Sequence, residues 1–291
     1  MRKRLKLTGF ALVVFVAASV LVAASAQAQA PEFGRCEKVG GEMVGRRTVY
    51  HGAYRNPGCT KASPKAKGKY EWFPGVVKAH FTAVSEPGTK VLFEIVDGKK
   101  ISCKGETDSG EYTTPKLEQN VVFTFTGCNF EERSGVENLT YPASSEGAKE
   151  GEIVTEPTEC ELGVVGKGAT PAMDRLGLSC AEEGEFMWLK WKVRGYIAYE
   201  YELCLRGWWF LTTKANSMSI SPTTLKSTQS KGVQKIERFV EGPPEPLEAT
   251  LNQGPEPLEA TRNRGGSFER AGLALRSVQT DEEAVEANSA A

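Results

Sequence analysis

The sequence predicts an all-β chain, an antiparallel sandwich or barrel-like domain braced by disulfides. Three observations predict it. The central region is written in short runs of β-branched and aromatic residues split by Gly, Pro and Asp-Gly. No segment combines a capped start with apolar residues recurring at three and four, the pattern a helix needs. Seven cysteines sit in a chain that opens with an export leader, and the compartment outside the membrane permits disulfides.

The leader comes first. "MRKRLKLTGF" carries Arg2, Lys3, Arg4 and Lys6 and no acid, then an uncharged run from Phe10 to Ala24, then "SAQAQA". A basic start, a short apolar stretch and an Ala-x-Ala site describe a secretory signal peptide over residues 1–28, with Gln29 as the mature N-terminus. The run is too short for a comfortable membrane span, so membrane contact is expected only before cleavage. Cys36 follows no lipobox, and "EEAVEANSAA" offers no second span, so a released chain is expected. Removing the leader leaves 32 Lys+Arg against 37 Asp+Glu, a net charge near −5. Such a surface does not gather phosphates, which argues against a nucleic-acid partner. The basic stretch Lys61, Lys65, Lys67, Lys69 reads as a solvated loop.

The main β domain is expected over residues 29–240. In "KVLFEIVDGKKISCKGET", Val91, Phe93 and Ile95 alternate with their neighbours up to Asp97-Gly98, a hairpin signal because both residues tolerate the positive φ of a type I′ turn. "NVVFTFTGC" repeats the style, and "GEIVTEPTECELGVVG" gives two short strands around Pro157. In "EFMWLKWKVRGYIAYEYELCLRGWWFLTT", Trp188 to Val193 and Ile197 to Leu203 read as long strands joined at Gly195.

Residues 241–266 hold the heptapeptide PEPLEAT twice, at 244–250 and 255–261. Proline lacks the amide proton a ladder needs, so this Pro/Glu-rich segment reads as a surface loop whose tandem copy was tolerated. Residues 267–291 then return as strand and short tail, through Leu273, Leu275 and Val278.

Catalytic signatures are missing. The two histidines, His51 and His80, lie in no His-Glu-x-x-His frame, and Gly-x-Ser-x-Gly and phosphate-cradling glycine loops are absent. A Cys59/His51 nucleophile pair competes with a disulfide at Cys59, which the compartment favours. No metal or cofactor is called for. The acids are too numerous for sequence to single out a glycosidase pair. The feature with binding potential is the aromatic group Trp188, Trp191, Trp208 and Trp209 with Tyr199 and Tyr201. Exposed, these rings could stack on sugars or proteins; the competing and favoured reading is that alternate rings fill the core.

Taken together, "PEFGRC", "GCT", "GKYEWFPGVVK", "GKKISCKGETDSGEYTTPK", "VVFTFTGC", "GEIVTEPTECELGVV" and "FERAGLALRSVQTDEEAVEAN" resemble a group of exported actinobacterial proteins. The resemblance implies export and disulfide-bearing β structure and brings no activity or site with it. The chain departs from the group at Cys160, in residues 196–210 and in the doubled PEPLEAT. Spacing predicts disulfides Cys36–Cys59 and Cys103–Cys128, each flanking a segment that a hairpin or loop can close. The third joins two of Cys160, Cys180 and Cys204, with Cys160–Cys180 slightly favoured. The expected function is non-catalytic: a secreted binding protein or envelope or matrix component, its partner a cell-envelope glycan or protein. The alternative is an extracellular glycan-active hydrolase.

Overall fold

The computed structural model describes residues 31–75, 79–95, 98–134, 137–166, 175–181, 185–194, 198–213, 219–220, 222–236, 238–240, 248–250, 259–262, 269–282 and 285–288. The expected leader lies outside them. Strands dominate, and the helical content of the described residues is the single short turn Pro64–Ala66.

Eight consecutive staves make the body, seven of them two or more strand segments interrupted at a break. The first joins His80–Ser85 to Val91–Ile95, and the second Lys100–Cys103 to Gly105–Tyr112. The third joins Leu117–Thr126 to Asn129–Ser134, and the fourth Glu137–Ser144 to Glu152–Val154 and Thr158–Gly166. Arg175–Ala181 with Glu185–Arg194, then Ala198–Arg206 with Trp209–Thr213, supply the fifth and sixth. The seventh holds Thr223–Ser227 and Glu259–Arg262, and the eighth is the unbroken strand Glu269–Asp281.

Each stave pairs antiparallel with the next, and the eighth returns to the first through Ser277↔Ser85 and Ala274↔Leu92. The ladders therefore close on themselves as a barrel, which leaves no free edge along the ring. Breaks fall near mid-stave, where glycine permits a left-handed backbone: Gly127 has φ +62° and Gly207 φ +96°. The strands on either side of the expected Asp97-Gly98 turn pair as a hairpin, with Glu94 opposite Lys100 and Gly98 at φ +88°; Asp97 lies outside the described residues.

Alternation explains the core. Phe81, Phe123, Phe125, Leu162, Leu178, Trp209, Leu211 and Leu275 fill one half of the lumen, and Phe93, Ile101, Phe130, Leu189, Trp191, Leu203 and Leu273 the other, all buried. Val165, Phe210, Ile236 and Phe239 form a smaller cluster on the outer face. A four-stranded sheet of Ser219–Ile220, Glu286–Asn288, Glu32–Lys38 and Tyr70–Pro74 caps one end. It is anchored by Phe33, whose ring meets that of Tyr112 at 4.7 Å.

Three disulfides are formed: Cys36–Cys59, Cys103–Cys128 and Cys160–Cys180. Cys160 and Cys180 sit directly opposite each other on paired strands, their Cα atoms 4.0 Å apart. Cys204 is buried and takes no part in a disulfide. Bridges of this kind belong to an extracellular or otherwise oxidising environment.

The doubled segment differs from its reading as loop. Glu248–Thr250 pairs with Arg238–Val240, and Glu259–Arg262 lies between Ala198–Arg206 and Glu269–Asp281. Each copy thus places its Glu-Ala-Thr in a ladder. The reason is local: the prolines stand at the head of each copy and leave three residues with free amides behind them. Residues 241–247, 251–258 and 263–268 lie outside the described ones.

Candidate functional site

Two rings of the aromatic group, Trp191 and Trp209, belong to the core and not to a surface. Trp191 is 3% exposed and stacks on Phe130 at 4.4 Å, and Trp209 is 1% exposed, edge-on to Phe123 at 5.3 Å. Both point into the lumen because their strands alternate and the inward face needs bulk. Trp188 and Trp208, one residue out of phase, are half-buried. Tyr199 and Tyr201 pair by backbone with Val193 and Trp191; their side chains lie outside the described residues. Trp191 also borders a small hollow of about 10 Å³ with Phe93, Ile101, Leu203 and the charged Glu94 and Lys100, at the end of the barrel away from the cap. The Cys59/His51 pair is ruled out, since Cys59 is in a disulfide and His51 is exposed beside Glu42.

The structure brings together a different set. The strand "GETDSGEY" sends Glu106, Asp108 and Tyr112 inward and Thr107 and Ser109 outward. Glu118 is 2% exposed on the next strand, just ahead of a bulge at Asn120 (φ +54°). From the closing strand come Gln279 and Asp281. The Tyr112 hydroxyl donates to Asp281 Oδ1 at 2.8 Å. The Gln279 amide donates to Tyr112 Oη at 2.7 Å and to Glu118 Oε1 at 3.3 Å.

Tyr112, Glu118, Gln279 and Asp281 meet at the capped end, around a small hollow of about 30 Å³, room for water. Its apolar wall includes Phe33, Leu162, Leu178 and Leu225, and its polar part Glu118, Tyr112, Gln279, Asp281 and Glu286. Glu286 belongs to the cap and accepts the Cys36 amide at 3.4 Å through Oε1. Its Oε2 is buried with no hydrogen-bond partner.

Burial governs the protonation of these acids. Glu118 lies well above the ordinary carboxyl range, chiefly because it is buried; the charges of Asp108 and Asp281 add to this, and the Gln279 hydrogen bond opposes it. Burial therefore favours its neutral form. Tyr112 is raised as well, by burial and then by Glu118 and Asp281. Glu286 is raised by burial, against the Cys36 amide. Deeper in the lumen, Glu106 is pushed up by burial and by the neighbouring Asp108, while the Glu106 amide donates to Ser85 Oγ at 2.7 Å. A proton on Glu106 keeps two negative charges from standing side by side.

Sequence reasoning passed over all of these acids, because an acid alternating with Thr and Ser reads as a solvated face. The one available signal was "GETDSGEY" itself, a strand with no apolar face before Tyr112 in a barrel whose inward positions must be buried. The described residues contain no group of three or more His, Cys, Asp or Glu arranged to hold a metal ion. No family model matches the chain, and neither a curated protein nor a solved structure is similar to it.

Proposed function

We propose that the protein is exported and acts by binding a cell-envelope glycan or protein through its outer surface. The observation that carries this reading is the closed, disulfide-braced barrel, whose lumen is filled by side chains and whose capped-end hollow of about 30 Å³ has room for water only. The leader and the three disulfides support a place outside the cytoplasm. A mature chain beginning at Gln29, found by N-terminal sequencing of protein recovered outside the cell, is the expected check on export.

Pull-down by insoluble cell-wall glycans and by envelope protein extracts tests binding: the purified mature chain should be retained by one of them, and passage through all of them would remove binding from the account.

A second reading, the glycan-active hydrolase, draws on one observation: Glu118, whose burial favours the protonated form, and Asp281 border the same hollow, a candidate acid and a candidate base. Release of new reducing ends from cell-wall polysaccharides, abolished by Glu118→Gln, would favour it over binding.

A further inference from the structure

Residues 31–75, which supply half of the cap sheet and the excursion it carries, hold nine Lys+Arg against four Glu, leaving 23 against 33 for the rest of the mature chain. From Met43 to Tyr70 there are seven Lys+Arg and no acid. A chain that is acidic on average is therefore basic at one end. The fold keeps these charges together. The excursion leaves the cap after Glu32–Lys38, returns in Tyr70–Pro74 and is pinned by Cys36–Cys59. At its foot the Lys38 and Lys69 ammonium groups lie 6.0 and 5.6 Å from the centre of the one Tyr50 ring. Lys61, Lys65 and Lys67 are exposed along its return, and Arg46 and Arg47 at its far end. Among the described residues, none of these last five is held in an ion pair.

A second observation concerns the far end. Residues 42–49 form a hairpin, Glu42–Val44 against Arg47–Val49, which among the described residues pairs with no other strand. Met43 is 65% exposed and Val44 56%, two of the four large apolar side chains so exposed among the described residues. Met43 stands opposite Thr48 and Val44 opposite Arg47, so the two lie on opposite faces of the hairpin. A partner that meets the hairpin from the side covers one of them, whereas an interface entered tip first takes both. The turn between the strands is Gly45-Arg46, and Gly45, at φ +66°, puts no side chain in the way. Arg46 and Arg47 then stand where phosphate headgroups lie, their stems along apolar surface and their guanidinium forks on phosphate oxygens. A hydrated acidic polymer satisfies the cations and leaves the apolar tip in water; an anionic bilayer satisfies both. We infer that this end docks the released chain onto an anionic phospholipid surface, the hairpin tip entering the interface and the lysines lying against the headgroups. The contact is peripheral, distinct from the leader and from a glycan or protein partner of the barrel.

Co-sedimentation of the mature full-length chain with vesicles tests this, at about 0.1 M salt so that screening is moderate. Vesicles of phosphatidylcholine mixed with phosphatidylglycerol should carry the protein down, and phosphatidylcholine alone should leave it in solution. Arg46→Gln with Arg47→Gln should weaken binding about tenfold or more, since each basic residue near such a surface contributes severalfold. Met43→Ser with Val44→Ser should weaken it about threefold or more, and what binding is left should be more sensitive to salt. Lys149→Gln with Lys226→Gln removes the same charge from exposed positions on the barrel and should change nothing. All six positions are exposed, and unchanged melting temperatures would show that the three variants fold. Three results would overturn the inference. The first is failure to sediment with the anionic vesicles. The second is a loss as large in the barrel pair as in the arginine pair, or none in the serine pair, which would reduce the effect to unspecific charge. The third is binding to soluble polygalacturonate without binding to vesicles, which would assign the basic end to an acidic glycan instead.

Discussion

At the scale of single residues, the unusual feature is acid inside a barrel, and it makes stability depend on pH in a stated direction. Glu106 is raised from 4.5 to about 10 and Asp108 from 3.8 to about 6. A carboxyl whose folded value lies above its unfolded one takes up a proton on folding. Its contribution is therefore fully present below the unfolded value and is lost as pH rises through the folded one. Stability should be greatest near pH 4 and decline through neutrality. Glu106→Gln keeps a donor toward Asp108 and needs no proton, so it should remove a slope of about 1.4 kcal/mol per pH unit from this decline. Urea unfolding of both proteins between pH 4 and pH 9 checks it; parallel curves would mean that Glu106 is charged in the fold. Leu275 is a plainer case. It is 3% exposed on the inward face with Leu273, and Leu275→Ala should cost about 2–5 kcal/mol by the same measurement at fixed pH.

Among the elements, the doubled heptapeptide separates what sequence shows from what it hides. Ala260 pairs with Leu205 on one side and Glu269 on the other, whereas among the described residues Ala249 pairs with Phe239 alone. A proline removes a donor and breaks a two-sided ladder most severely. Ala260→Pro should cost about 3 kcal/mol or more and Ala249→Pro far less, read as shifts in the unfolding midpoint. Equal, negligible costs would restore the reading of both copies as loop. Three residues after a proline pair carry no periodicity, so nothing in "PLEAT" announced a strand. The disulfides were legible for the opposite reason: Cys103 and Cys128 flank strands that local hairpins bring together, as do Cys160 and Cys180. The Asp97-Gly98 hairpin was legible in the same way. The pairing of Ser277 with Ser85 joins residues far apart in the chain and leaves no local mark. Closure, and with it the capped hollow, could be seen only once the ladders were complete.

For the whole molecule, closure assigns different work to the three bridges. Cys103–Cys128 ties the second stave to the third, and Cys160–Cys180 the fourth to the fifth, so both brace the ring. Cys36–Cys59 lies outside the ring, in the chain that forms the cap. Nothing covalent crosses the seam between the first and eighth staves, which is held by the ladders along Ser277–Asp281 and Ala271–Ala274 and by the leucines beneath them. Two levels of stability should result. In native-state hydrogen exchange, amides of Glu269–Asp281 should open only with global unfolding, because this strand is paired along both halves of the barrel. Amides of Glu32–Lys38, held between Glu286–Asn288 and Tyr70–Pro74, should open at lower free energy. Replacing both Cys36 and Cys59 with serine should widen the gap: a bridge of this loop size is worth about 3 kcal/mol, and that loss should appear in the cap while the closing strand stays protected. If cap and barrel instead lose protection together, they are one cooperative unit, and the capped end is as rigid as the ring it covers.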